Sequence, residues 1–197
     1  MSVKIILFAS GSGTNVEHIV EYFSSSGTIS CLLILSNNPE AGVHRRAKRL
    51  KVPSLTFSRE EFNDGKKILE LLKQFDIDAI ILAGFLLKIP QVLIDAYPQK
   101  IINIHPALLP KFGGKGMYGA RVHEAVKAAG EKETGISIHF VNENYDRGAL
   151  IFQARCTVES DDTTETIAEK VHQLEYTYYP PVIEKTLHAI FGITTED

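Results

Sequence analysis

The stretch VKIILFASGSGTNVEHIVEYF, Val3–Phe23, decides the fold. Its first part, Val3–Ala9, is mostly apolar and rich in β-branched side chains, which is typical of a strand buried on both faces. A glycine-containing turn follows. The apolar side chains of residues 15–23 then recur at helical spacing, at Val16, Ile19, Val20 and Phe23. The stretch therefore predicts a strand, a tight turn and a helix, the opening unit of an α/β fold.

The same alternation continues through the N-terminal half. We expect strands at Ile29–Leu35, Ser54–Phe57 and Ala79–Ala83, and helices at Pro39–Leu50 and from an N-cap at Ser58 to about Gln74. Strands that are apolar on both faces and separated by helices indicate a parallel sheet with helices on both sides. The predicted fold class is α/β, a doubly wound, Rossmann-like, mostly parallel sheet.

The C-terminal half changes character. Ala120–Ala129 predicts a helix closed by Gly130, and Gly135–Val141 alternates like a half-exposed strand. Ala149–Val158 predicts the strand that returns from it, so the two form an antiparallel hairpin beside the parallel sheet. A final helix should begin near Thr163 or Thr164 and run to about Ala189, with Pro180 and Pro181 kinking or splitting it. We expect a single domain, 1–197, with a nucleotide-binding half (1–100) and a catalytic half (101–197).

Composition narrows the function classes. The 197 residues are 44% hydrophobic and 23% charged with a net charge of −3, which argues against a general nucleic-acid binder. The basic run His44–Arg49 is expected to be a solvated helix face. Cys31 and Cys156 are expected to be buried thiols, because they form no metal-ligand spacing and no disulfide framework. The chain shows no basic leader and no apolar run long enough for a membrane, so we expect a cytoplasmic protein.

Three loops should carry the function, because ligands of doubly wound sheets bind at the carboxyl ends of the strands. The first loop, Gly11–Asn15, places glycines between a strand and a helix N-terminus, where free N–H groups would suit a phosphate. No Lys-Ser/Thr pair follows Gly13, so the loop is not a Walker motif. The alternative is a tight turn that needs glycine only for its dihedral angles.

The other two loops follow Leu82 and Ile102. Asn103 and His105 end a buried strand two residues apart, so their side chains share one face. An imidazole suits proton transfer and an amide can donate to an oxyanion, although the pair could also be structural. A carboxylate is the natural partner of His105. In the predicted turn NENYDRG, Asp146 is the better placed candidate and Glu143 is the second choice. The two other histidines considered, His123 and His139, are expected to be structural or surface residues.

Nearly the whole chain resembles the phosphoribosylglycinamide formyltransferases, the folate-dependent enzymes of purine synthesis. The matching stretches are FASGSGTN, LSNNPEAG, ILAGFLLKIP, IINIHPALLPKFGGKGMYG, TGISIHFVNENYDRGALIFQ and HQLEYTYYPPVI. Two places depart from the usual pattern. Leu87 stands where many members have an arginine near the folate tail, which leaves that tail to other groups such as Lys88. GGKGMYG, residues 113–119, replaces a more common loop.

The resemblance implies three groups of site residues. The catalytic residues would be Asn103, His105 and Asp146. The residues holding the substrate phosphate and ribose would be Gly11, Ser12, Gly13, Thr14, Asn15, His172 and Glu175. The residues around the folate would be Phe85, Leu86, Leu87, Lys88, Ile89, Asn103, Asn142, Glu143, Asn144, Tyr145 and Asp146. It also implies a cis peptide at Leu109–Pro110.

The implied reaction moves a formyl group from 10-formyltetrahydrofolate, the co-substrate, to the amine of glycinamide ribonucleotide. Asn103 and a protonated His105 would stabilise the oxyanion, Asp146 would keep His105 charged, and no metal would be needed. The implied partners are these two small molecules, with no nucleic acid and no membrane, in a monomer or homodimer. The alternatives are a formyltetrahydrofolate hydrolase, a formyltransferase for another amine, and a non-catalytic nucleotide-binding module.

Overall fold

The computed structural model describes residues 2–194. Within this range there are seven strands and seven helices. The strands are β1 Val3–Phe8, β2 Ile29–Ser36, β3 Ser54–Thr56, β4 Ala79–Leu82, β5 Ile101–His105, β6 Glu133–Phe140 and β7 Leu150–Thr157. The helices are α1 Thr14–Phe23, α2 Val43–Leu50, α3 Arg59–Asn63, α4 Lys66–Gln74, α5 Gln91–Ala96, α6 Ala120–Ala128 and α7 Thr164–Phe191.

One sheet, in the order β3-β2-β1-β4-β5-β6-β7, joins all seven strands of the described range. The neighbours from β3 to β5 run parallel, and β5, β6 and β7 pair antiparallel. The predicted fold class is confirmed. Because β1 lies between β2 and β4, the strand order reverses direction there, which opens a crevice at the carboxyl ends of β1 and β4.

Each face of the sheet carries its own hydrophobic core. Along β1, Ile5 and Leu7 pack into the core formed with α1 and α7, whereas Ile6 and Phe8 pack into the core on the opposite face. All four side chains have no solvent exposure. Burying each one stabilises the fold by about 1.5–3 kcal/mol, so β1 anchors both layers.

Several helix predictions need correction. The helix expected from Ser58 to Gln74 is broken into α3 and α4 at Gly65, whose φ of 68° no helix interior adopts. The Ser58 cap is confirmed, since it forms a capping box with Glu61. Helix α7 was expected to kink or split at Pro180 and Pro181; it is not split, since one helix runs from Thr164 to Phe191. Burial of one of its faces against the sheet offsets the backbone hydrogen bonds that the prolines cannot make.

Two burial predictions were also wrong. Strand β6 is buried on both faces from Thr134 to His139, because its polar face is covered by the loop after β5 and by the site described below. Cys31 and Cys156 are only partly buried.

Helix α5 was not expected. The Leu109–Pro110 peptide is cis, as the resemblance implied. No helix in residues 2–194 combines the length and apolarity needed to cross a membrane.

Candidate active site

A cavity of about 650 Å³ lies where the loops after β1, β4 and β5 meet. It is lined by almost all of the residues that the sequence singled out. These are Gly11, Ser12, Gly13, Thr14, Asn15, Phe85, Leu86, Leu87, Lys88, Ile89, Asn103, His105, Asn142, Asn144, Tyr145, Asp146, His172 and Glu175. Glu143, which is solvent-exposed in the turn after β6, does not line it.

The loop Gly11–Asn15 presents free donors to this cavity. Gly13 caps α1 with a φ of 77°, a conformation that favours glycine. Among residues 2–194, no group accepts a hydrogen bond from the backbone N–H groups of residues 11–15. The carbonyl of Gly11 is engaged by the Val43 N–H at 3.1 Å. Unpaired N–H groups at a helix N-terminus are the arrangement that binds anions.

A buried carboxyl group lies beside that loop. Glu175, on α7, is only 6% exposed, and Asn15 Nδ2 donates to its Oε2 at 2.9 Å. Burial raises the pKa of Glu175 to about 7, although the hydrogen bond from Asn15 lowers it. His172 lies one turn earlier on α7, and burial lowers its pKa below the usual value. The two residues thus reach the cavity from the same helix.

Strand β5 delivers Asn103 and His105 to the cavity. Asn103 Nδ2 lies 3.1 Å from His139 Nε2. Because His139 Nδ1 lies 2.8 Å from the Phe140 carbonyl oxygen, it carries the proton and Nε2 is left to accept from Asn103. His105 Nε2 donates in the same way to the Phe112 carbonyl oxygen at 2.8 Å. One hydrogen of the Asn103 amide remains available to a ligand.

Asp146 approaches both histidines from the turn between β6 and β7. Its Oδ2 lies 3.6 Å from His105 Nδ1, and its Oδ1 lies 3.6 Å from His139 Nε2. The Gly114 N–H donates to Oδ2 at 2.8 Å, which ties this turn to the glycine-rich loop. The predicted trio therefore comes together in one cluster.

Burial disfavours the charged forms of both Asp146 and His105. Burial raises the pKa of Asp146, but the adjacent imidazoles of His139 and His105 and the hydrogen bond from the Gly114 N–H together outweigh it, so the pKa of Asp146 lies below its usual value. For His105, burial lowers the pKa more than Asp146 and the Phe112 carbonyl raise it. The structure therefore does not favour a protonated His105 in the free protein. The cost of desolvating the buried imidazolium exceeds the attraction of the Asp146 carboxylate 3.6 Å away.

The segment after β4 forms an apolar wall. The Phe85 ring packs edge-on against Phe8 with centroids 5.3 Å apart, and Leu86 leaves 46% of its surface open to solvent. The Leu86 N–H donates to Ser10 Oγ at 3.0 Å, and Ser10 Oγ donates to Asn37 Oδ1 at 2.6 Å. Ser10 thereby fixes this wall relative to the loop Gly11–Asn15.

Two arginines and two histidines of the cavity were missed as site residues. Arg59 and Arg121 line the cavity, as do His123 and His139, which were expected to be structural or surface residues. Both histidines are 2% exposed. Burial lowers the pKa of His123 to about 4, and its Nδ1 has no partner within residues 2–194. The sequence signal for His139 was its alternation with apolar residues along a predicted strand; that this strand pairs with Asn103 is known only from the structure.

The chemistry of the cavity is that of acids, bases and hydrogen-bond donors. No group of three or more histidine, cysteine, aspartate or glutamate side chains in residues 2–194 is arranged to hold a metal ion. A loop with unpaired N–H groups, an apolar wall and an Asn-His-Asp cluster converge on one space. Such a space can hold two ligands against each other and stabilise negative charge between them.

Two named relatives are similar in sequence to nearly all of this chain. The chain is 38% identical over 187 residues to a chloroplastic phosphoribosylglycinamide formyltransferase of Arabidopsis thaliana, covering 91% of this chain and 64% of the relative. It therefore spans less than two thirds of the length of that relative. It is 36% identical to the phosphoribosylglycinamide formyltransferase of Bacillus subtilis, covering 93% of this chain and 94% of the relative.

Solved structures extend the likeness to three dimensions. The phosphoribosylglycinamide formyltransferase of Bacillus halodurans superposes with a TM-score of 0.87 at 31% identity, covering 98% of this chain and 100% of the other. A sequence model of the formyl transferase family matches residues 3–183. That match spans the loop Gly11–Asn15, the Asn-His-Asp cluster and Glu175, and the chain belongs to the formyl transferase family.

Proposed function

We propose that this protein transfers the formyl group of 10-formyltetrahydrofolate to the primary amine of glycinamide ribonucleotide, in purine synthesis. The products would be formylglycinamide ribonucleotide and tetrahydrofolate. The observation that carries the proposal is the cluster of Asn103, His105 and Asp146 between an anion-binding loop and an apolar wall. The names of relatives with full-length matches support the same reaction.

The ribonucleotide would occupy the side of the cavity near α1 and α7. Its phosphate would accept hydrogen bonds from the unpaired N–H groups of residues 11–15. Glu175 would accept from the ribose hydroxyls, which favours its ionised form. His172 would lie near the phosphate. In this arrangement the amine of the substrate would point toward Asn103 and His105.

The folate would occupy the side near residues 85–89. Its pterin would pack against this wall and against the turn of residues 142–146. Leu87 brings no charge to the folate tail, but Arg59 and Lys88 also line the cavity. We propose that these two cations pair with the carboxylates of the glutamate tail.

The reaction would proceed through a tetrahedral intermediate. The amine attacks the formyl carbon and the carbonyl electron pair moves onto oxygen. The free N–H of Asn103 would donate to this oxyanion. The carbon–nitrogen bond to the folate then breaks, and the folate nitrogen receives the proton that the attacking amine loses. Asp146, which keeps a low pKa, would relay this proton through water.

His105 would join the reaction only after a change of partner. In the structure its Nε2–H donates to the Phe112 carbonyl, so the formyl oxygen would have to replace that carbonyl. A developing oxyanion also favours the imidazolium form, which burial disfavours in the free protein. Binding of both substrates is thus expected to raise the pKa of His105.

The test is a formyl-transfer assay with both substrates. We expect turnover that requires glycinamide ribonucleotide and falls by at least about a hundredfold in Asn103→Ala and Asp146→Asn. Glu143→Gln is the matched control, because Glu143 lies in the same turn but does not line the cavity. Folate turnover without the ribonucleotide would instead identify a hydrolase, and binding of both ligands without any turnover would refute the proposal.

We further propose that the protein is cytoplasmic and that it is a monomer or a homodimer. Analytical ultracentrifugation would distinguish the two oligomeric states.

A further inference from the structure

The basic run His44–Arg49 was expected to be a solvated helix face, but the structure shows that α2 is not solvated uniformly along it. Arg46 turns back onto the anion-binding loop, where its Nε–H donates to the Ser12 carbonyl oxygen at 2.9 Å. With the Gly11 carbonyl engaged by Val43 and the Gly13 carbonyl by the Glu17 N–H at 3.0 Å, three successive carbonyls of the loop are occupied. Their bonds orient these carbonyls toward the protein, which leaves the N–H groups for the ligand.

Arg46 also pairs with the carboxylate of Glu17, which lies in the first turn of α1, where a negative charge disfavours phosphate binding. Glu17 is the fourth residue of α1, and its side chain is 17% exposed. Unpaired, its negative charge would oppose a phosphate at the N-terminus of α1. Arg46 pairs with Oε2 of Glu17 and Arg49 pairs with Oε1. The three side chains together carry one net positive charge beside the loop.

We propose that Arg46, assisted by Arg49, is a positioning residue for the phosphate of the substrate. It holds the Ser12 carbonyl away from the anion, and it cancels the charge of Glu17 without itself lining the cavity. The inference takes only the identity of the phosphate-bearing ligand from the proposed function. The packing of α1 on α2 does not depend on this ion pair, since Val16, Val43 and Ala47 join the same buried core.

The expected signature is a selective loss of phosphate affinity. Arg46→Gln leaves Glu17 paired only with the more exposed Arg49, which lowers the net charge beside the loop from +1 to zero, and it frees the Ser12 carbonyl. We expect the KM for glycinamide ribonucleotide and the Kd for ribose 5-phosphate, measured by calorimetry, each to rise on the order of tenfold. The kcat at saturating ribonucleotide and the KM for the folate should stay within about twofold.

Two further variants separate the two roles of Arg46. Arg46→Lys keeps the charge but lacks the Nε donor, so its remaining deficit measures the hold on Ser12. Glu17→Gln combined with Arg46→Gln removes the opposing carboxylate and should recover much of the lost affinity. Arg45→Gln is the matched control, because Arg45 is an exposed arginine of the same helix with no hydrogen bond or ion pair in the described structure.

Each outcome decides a different question. Equal binding by Arg46→Gln and Arg45→Gln would overturn the inference, as would an Arg46→Gln defect that appears in kcat rather than in KM. If Arg46→Gln does not fold, Arg49→Gln, at a side chain that is 61% exposed, tests the charge effect and should weaken ribose 5-phosphate binding in the same direction. If the unmodified protein shows no formyl transfer but binds ribose 5-phosphate in an Arg46-dependent way, the proposed function fails and the inference stands.

Discussion

Replacing Glu175 with glutamine should change how stability depends on pH. Glu175 is 6% exposed, and its Oε2 accepts a hydrogen bond from Asn15. Glutamine keeps the shape and an acceptor oxygen for Asn15, but it cannot ionise. The difference between the two proteins therefore isolates the titration of one buried carboxyl group, because all other titrating groups are common to both.

The magnitude follows from the pKa values. The pKa of Glu175 rises from an ordinary value of 4.5 to about 7 in the folded protein. Between these values the folded state binds more protons than the unfolded state, so the free energy of unfolding falls as pH rises. One pKa unit corresponds to about 1.4 kcal/mol, so ionising the buried carboxyl costs the folded state about 3 kcal/mol by pH 8.

Urea unfolding of both proteins at intervals from pH 4.5 to 8.5 measures this difference. Relative to the unmodified protein, Glu175→Gln should gain about 3 kcal/mol between the two ends of the range. Glu169→Gln, at an exposed carboxyl of the same helix, should change much less. Parallel stability profiles for Glu175→Gln and the unmodified protein would refute the reasoning, because they would mean that burial does not disfavour the carboxylate.

Three other substitutions test how the site is supported. Ser137→Ala removes a buried hydroxyl that accepts from the Leu109 N–H at 2.9 Å, so urea unfolding should show a loss of about 1–3 kcal/mol, and a loosened loop after β5 should also lower kcat. Tyr179→Phe removes a donor to carbonyls of β4 and β5, at 2.9 and 3.2 Å; we expect a loss of about 1–2 kcal/mol with kcat retained, and an unchanged midpoint would count against it. Gly135→Ala would place a Cβ 1.9 Å from the Ala154 carbonyl oxygen, so expression should give little folded protein, and a normal melting temperature would contradict the predicted clash.

The local pattern predicted most of the fold because buried parallel strands and amphipathic helices leave different periodicities. Ser58 was recognised as a cap because a hydroxyl before acidic residues satisfies the free N–H groups of a helix. The break at Gly65 was missed, since a glycine with positive φ looks the same in sequence as a tolerated helical glycine. The continuity of α7 through Pro180 was missed because tertiary burial offsets an unfavourable local preference.

The sequence by itself determined the α/β class, the glycine-containing turn at Gly11–Asn15 and the placement of Asn103 beside His105, because these depend on neighbours in the chain. Only the tertiary structure decided that His139 orients Asn103, that Arg46 supports the loop Gly11–Asn15, and that burial outweighs Asp146 in lowering the pKa of His105. These are relations between residues some 30 to 40 positions apart in the chain. Solvent exclusion and distance set their energies, and neither is written in local sequence.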